Sequence, residues 1–386
     1  MSRLTYFILA NFLSSVSMGV FLIALPWLIV KTLGGSALIA VSAVAMLVLF
    51  LLRQRSGALV DSTPRGRLFA TAMIGMAVLL AVLAVAPTNT ALMLAIFFCG
   101  QIYLFFYYVI RSAITREIVS EGQFGRYNGI LEIEGQISTF FAGGAAAFFF
   151  AQDPASLSSV LWASAGGMLI AALVVLCKLP TKVPEDIAEG DPETAAVQSF
   201  PLSLMLLAFC GSVPFICVML LNVIKPIVII DLLRYPGEVL ALTSVFYTIG
   251  AIAAGLLGGR SWIETGKRQV VSLTLLGFLI FCLVPSALPT PAVLYLSSVI
   301  WGVSNGLSRI TWQTAAMNEV GNRRIGNFFA TVSAGVGLMR IGLLFGYWAV
   351  SALWGYETSF GYLALICTIG LAVFAIARFR PQFRRQ

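Results

Sequence analysis

Arg111, Glu132, Glu134, Lys225, Arg309 and Arg340 fall within or at the ends of long apolar stretches of this sequence. An ionised side chain in such a place is costly unless it is paired, hydrated or in contact with a ligand. Four cations face two carboxylates in this set. That balance suits the binding of a small anion or zwitterion, with carboxylates free to move protons. The chain has no histidine, so proton traffic near neutral pH falls to carboxylates, and the commonest metal ligand is missing. No metal site and no cofactor are expected.

Arg340 stands about 15 residues into its apolar stretch, roughly 22 Å along a helix. A hydrocarbon core is about 30 Å thick, so this position is too deep for easy snorkelling. Gly335, Gly337 and Gly342 leave room beside it. It either touches substrate or coupling ion, or it makes a structural ion pair. Glu132 and Glu134 sit in the first turns of a helix and point to opposite sides at about 100° per residue. Glu132 shares a polar stripe with Asn128, Gln136 and Thr139, and Glu134 a weaker one with Ser138. Each is either an ion-pair partner near one mouth, with Arg111 or Arg53, or a carboxylate that holds a proton once removed from water.

Lys225 precedes Pro226, which frees a backbone carbonyl and favours a kink. Lysine there either snorkels to headgroups or belongs to a gate. Arg111 and Arg309 end the fourth and tenth apolar spans, as anchors or as a lining of the mouth. Asn305, Ser308, Trp312 and Gln313 lie within a turn of Arg309, a polar and aromatic cluster able to hold a small solute. Tyr103 and Tyr107, one helical turn apart, are the aromatic candidates.

These residues are positioned by membrane helices. The 386 residues are 59% hydrophobic and 10% charged, against about 25% charged in soluble domains. Mean hydropathy is +0.95. The expected fold is all-α and membrane-embedded, with twelve helices in two six-helix bundles. The bundles take residues 1–177 and 202–386, and a polar, cytoplasmic linker takes 178–201. The fourth, seventh and tenth spans read as about 90–112, 202–230 and 291–313. Six cysteines are scattered and read as small apolar residues. The first apolar run, Tyr6 to Val30, is too long for a cleavable signal.

The net charge of +8 is distributed, not general. Arg65, Arg67, Arg116, Arg126, Lys178, Lys182, Lys267, Arg268, Arg323 and Arg324 fall in alternate gaps, and Arg378 to Arg385 in the tail. The other gaps hold only Lys31 and Arg234. The excess therefore reports topology, with both termini cytoplasmic, and not nucleic-acid binding. The halves also echo one another. Arg111 and Arg309, Glu121 and Glu319, and Arg126 and Arg324 are each 198 positions apart. That register suggests a parallel repeat.

One gap carries a motif, Gly57-Ala-Leu-Val-Asp61-Ser-Thr-Pro64-Arg65-Gly66-Arg67. Gly57 permits close helix approach. Asp61 suits a helix N-terminus, where partial positive charge gathers. Arg65 and Arg67 can reach Glu117 or Glu121. The set forms a cytoplasmic latch, or the arginines simply anchor the loop.

This stretch resembles the Gly-x-Leu-x-Asp…Arg signature of the major facilitator superfamily. With Pro-Arg after the aspartate it is similar to the bacterial macrolide-efflux and enterobactin-exporter branch. Ala24-Leu-Pro26-Trp27 through Leu33-Gly-Gly35-Ser36-Ala37, and Arg111-Ser-Ala113 through Arg126-Tyr-Asn128-Gly129, fit the same branch. Three departures stand out. The second-half loop, Gly258-Gly259-Arg260 to Lys267-Arg268, is a degenerate copy; Arg53-Gln54-Arg55 precedes the signature; and Gly143-Gly144 lacks the proline frequent in antiporters.

The resemblance implies a secondary active transporter working by alternating access in a bacterial inner membrane. Combined with the positive intramembrane charge, it implies export of a small anionic or zwitterionic, siderophore-like metabolite by a monomer, with protons as a possible coupling ion. Multidrug efflux is the alternative, although a basic cavity repels cationic drugs. A lysophospholipid flippase is another, and a non-transporting receptor or scaffold a third. Nothing in the sequence points to an enzyme.

Overall fold

The computed structural model describes residues 3–33, 35–150, 156–179, 200–260 and 265–378. Most of the 178–201 linker and the end of the basic tail lie outside them, as do position 34 of the Leu33–Ala37 stretch and residues 261–264. Among the described residues the regular structure is helical. The helices are α1 (Arg3–Leu33), α2 (Gly35–Ser62), α3 (Arg65–Val85), α4 (Thr90–Ile118), α5 (Phe124–Phe150) and α6 (Ser156–Lys178). The second half contains α7 (Leu202–Gly211), α8 (Val213–Pro226), α9 (Gly237–Leu257), α10 (Lys267–Ala287), α11 (Pro291–Glu319), α12 (Ile325–Trp354) and α13 (Ser359–Arg378). Nine described segments are long and apolar enough to cross a membrane, with α7 and α8 forming one of them. Helices α1, α5 and α11 complete the twelve. Helix α11 is less apolar because Ser297, Ser298, Ser304, Asn305 and Ser308 are buried along it.

Two expectations about helix ends need correction. The fourth and tenth spans do not stop near 112 and 313; α4 and α11 run on to Ile118 and Glu319. Arg111 and Arg309 are thus interior helix residues. The hydropathy falls there, but the backbone ladder continues because no proline or glycine interrupts it. The seventh span is not one helix. It breaks at Ser212, since Pro214 sits in the first turn of α8 and cannot donate to the preceding turn. After Pro226 the chain winds into a π-helical turn, Ile227–Leu232.

The contacts divide the chain into two units. One holds the described residues of Met1–Val119, Glu134–Gln198 and Val320–Gly335. The other holds Ser120–Ile133, Ser199–Glu319 and Val336–Gln386, again as described. In the first unit, α1, α3, α4 and α6 bury Phe7, Phe21, Phe69 and Leu80 completely. In the second, Trp301 lies stacked between Phe278 and Phe360, with centroids 6.0 and 5.9 Å away.

The 198-residue register reappears in the packing. A Cβ at Gly57 would overlap the backbone of Asn327 in the first unit. In the second unit a Cβ at Gly129 would overlap the carbonyl of Gly255. Gly255 is 198 positions beyond Gly57, and Asn327 is 198 beyond Gly129. Each half thus contributes one side of a matching close crossing, as a parallel repeat requires.

Candidate functional site

The motif residues are gathered in the first unit. Asp61 Oδ1 accepts the Gly326 amide at 2.7 Å and Oδ2 the Asn327 amide at 2.9 Å. These are amides of the first turn of α12, which have no intrahelical acceptor. A carboxylate there meets both the orphan donors and the positive end of the helix dipole. Arg65 is completely covered. Its Nη1 donates to the Ala113 carbonyl at 3.1 Å and to Asn322 Oδ1 at 2.6 Å, and its Nη2 to the Asn322 carbonyl at 2.6 Å. It lies 3.5 Å from both Asp61 and Glu117. Of the two glutamates expected from the sequence, Arg65 meets Glu117. Arg67 is exposed and makes no ion pair among the described residues.

A second network in the first unit surrounds Glu134. Its carboxylate accepts from Asn11 Nδ2 and, at 2.8 Å, from Ser138 Oγ. Tyr107 donates to Asn11 Oδ1 at 2.7 Å and meets Ser15 Oγ at 2.7 Å. Arg111 is buried within electrostatic reach of Glu134. Its guanidinium carbon is 5.7 Å from the Tyr107 ring centre and 5.4 Å from that of Tyr108, close enough for cation–π attraction. Tyr103 is buried too, and its hydroxyl points at the Met168 sulfur, 3.6 Å away.

Glu132 belongs to the second unit, where it pairs with Arg309. The Glu132 side chain is 2% exposed and that of Arg309 17%. Arg53, considered as a partner, instead donates to the Phe50 carbonyl of its own helix at 2.7 Å. Arg309 lies 5.9 Å from the Phe215 ring centre. Of the arginines 198 positions apart, Arg309 pairs directly with a carboxylate of α5, and Arg111 lies within electrostatic reach of the other. Near the pair, Asn128 Nδ2 donates to Thr314 Oγ1 at 3.0 Å.

The polar cluster around Arg309 is mostly committed to helix contacts. Asn305 Nδ2 donates to the Tyr247 hydroxyl at 2.7 Å, and Ser308 Oγ to the Gly211 carbonyl at 2.8 Å. The Trp312 ring packs on Gly211, at the break between α7 and α8. Gln313 is half-buried. Asn305 Oδ1 is buried without a hydrogen-bond partner among the described residues. Lys225 is 8% exposed at the end of α8, and Arg340 is exposed on α12. Neither makes a hydrogen bond or ion pair among the described residues.

Sequence reading missed Asn11, Ser15, Tyr247 and Asn322. The available signal was polarity out of place: Asn11, Ser14 and Ser15 interrupt an otherwise apolar first span.

No curated protein matches the chain in sequence. Solved structures do match its fold. The human organic anion transporter TETRAN superposes with a TM-score of 0.77 at 16% identity, covering 96% of this chain and 98% of its own. A bacterial homologue of the iron transporter ferroportin, in an outward-facing state, gives 0.72 at 14%, covering 98% and 100%. The proton:xylose symporter XylE gives 0.73 at 10%, covering 98% and 95%. At these identities the likeness concerns the fold. The model of the Major Facilitator Superfamily matches residues 7–341, and the chain belongs to that family of membrane transporters.

Proposed function

We propose that this transporter exports a small anionic or zwitterionic organic metabolite, siderophore-like in chemistry, across a bacterial inner membrane. It does so as a monomer, with both termini in the cytoplasm. One observation carries the reading: Lys225 and Arg340, both in membrane-spanning helices of the second unit, have no protein counter-charge among the described residues. A cation so placed needs an anion or water, and a bound solute supplies the anion during transport. Protons are the coupling ion, with Glu132 and Glu134 as the carboxylates that can take them. The aspartate and arginine of the motif, Asp61 and Arg65, hold the start of α12 in the described state and release it in the other. The printed substrate of the human relative, an organic anion, agrees with this chemistry.

A lysophospholipid flippase is the second reading, favoured by the exposure of Leu338, Met339 and Phe345 beside Arg340. The test uses cells lacking the gene and compares wild-type, Lys225→Ala and Arg340→Ala proteins for restoring export at equal membrane abundance. Loss of export of a water-soluble anion in both variants supports the reading. Export unchanged in both overturns it, and a defect confined to lysophospholipid favours the second reading.

A further inference from the structure

The pair Glu132–Arg309 limits what can enter its site. The Glu132 side chain is almost wholly covered, while that of Arg309 is partly exposed, so the arginine is the member open to an approaching solute. Glu132 lies against α11: a Cβ at Gly306 would overlap the Ala254 side chain and stand at ordinary contact distance, 3.7 Å, from Glu132 Cγ. A simple anion that took Arg309 would strip the bonded cation from a carboxylate held out of water. A simple cation that took Glu132 would do the same to Arg309. Removing one member of a buried ion pair is strongly unfavourable, because the other charge stays buried. A solute carrying both charges meets neither penalty. Its anionic group replaces Glu132 on Arg309, its ammonium replaces Arg309 on Glu132, and one ion pair becomes two.

We propose that the Arg309–Glu132 pair of the second unit is a recognition site for a zwitterion with neighbouring carboxylate and ammonium groups. Two nearby features fit such a guest. Asn305, one turn before Arg309 and so on the same face of α11, holds a buried acceptor oxygen without a partner among the described residues, suited to an ammonium hydrogen. Phe215 beside the guanidinium offers aromatic surface to an apolar body. The inference rests on the transport reading above and narrows its substrate class at this site.

The test uses three probes of one skeleton on the purified protein. These are L-phenylalanine with both charges, 3-phenylpropionate with the anion alone, and 2-phenylethylamine with the cation alone. The expected result is L-phenylalanine binding at least about tenfold more tightly than either analogue, the effect of one lost charge-assisted contact. Glu132→Gln should erase the preference over 3-phenylpropionate, and Arg309→Gln should abolish binding of both carboxylates. The double variant, with no charge left to strand, should fold and bind none of them. If a single variant fails to fold, the three-probe comparison on the wild-type protein and the double variant decides. Equal binding of 3-phenylpropionate and L-phenylalanine by the wild-type protein overturns the zwitterion site while leaving anion transport standing. Binding of none of the three overturns it as well. Loss of export in the Lys225 and Arg340 variants is read separately, so the two failures are distinguishable.

Discussion

Replacing Asp61 with asparagine isolates the contact at the start of α12. The carboxylate now serves two amides, Gly326 at 2.7 Å and Asn327 at 2.9 Å. Asparagine keeps one acceptor oxygen, and its amide nitrogen turns a donor toward the other N–H. One hydrogen bond to a charged group, about 1.5–3 kcal/mol, is lost together with a helix-end charge interaction of about 0.3–1 kcal/mol. The sum is roughly 2–4 kcal/mol, or about 30-fold to several hundred-fold in the equilibrium between held and released α12. First-turn amides have no intrahelical acceptor, so their protection from exchange reports this contact directly. Hydrogen–deuterium exchange on peptides covering 321–330 should show Gly326 and Asn327 exchanging faster in Asp61→Asn by a factor in that range, with the rest of α12 little changed. Equal exchange in the two proteins, at equal folding, would refute the reasoning.

Arg65→Lys should lower thermal stability by about 2 kcal/mol, because an ammonium cannot reproduce the fork that reaches Ala113 and both Asn322 oxygens; an unchanged melting curve would contradict this. Glu132→Gln should destabilise more than the double variant with Arg309→Gln, with a coupling of roughly 1–3 kcal/mol; purely additive losses would dissolve the pair. If the α5 carboxylates carry the coupling proton, Glu132→Gln or Glu134→Gln should remove the pH dependence of transport. Unchanged pH dependence in both single variants and the double leaves them a structural role only. A reporter fused after Gln386 should be active on the cytoplasmic side, and activity only outside would reverse the topology.

The sequence displayed the helical spans and the motif because both are local. Apolar runs announce membrane helices through composition alone, and Gly57, Asp61 and Arg65 stand within nine residues of one another. The parallel repeat was visible from a few charges at constant separation. The partners were harder. Arg309 and Glu132 are 177 positions apart, and sequence reasoning looked for the partner of Glu132 nearby, at Arg111 and Arg53. Asp61 reads as a helix-end residue, but that it meets α12, 265 positions on, depends on packing. The polar network of Glu134 relies on Asn11, whose polarity stands out in its apolar segment but whose partners, Tyr107 and Glu134, lie 96 and 123 positions on. The break in the seventh span had a local sign, Gly211-Ser212-Val213-Pro214, overridden in the reading by continuous hydropathy.

Outward transport of a small charged organic metabolite, as proposed above, is tested most directly by comparing metabolites in cytoplasm and medium between cells with and without the gene. An anionic or zwitterionic organic compound should accumulate inside cells lacking the gene, be depleted from their medium, and return to normal when the wild-type chain is restored. Unchanged levels of every such compound, or accumulation of an organic cation instead, would contradict it.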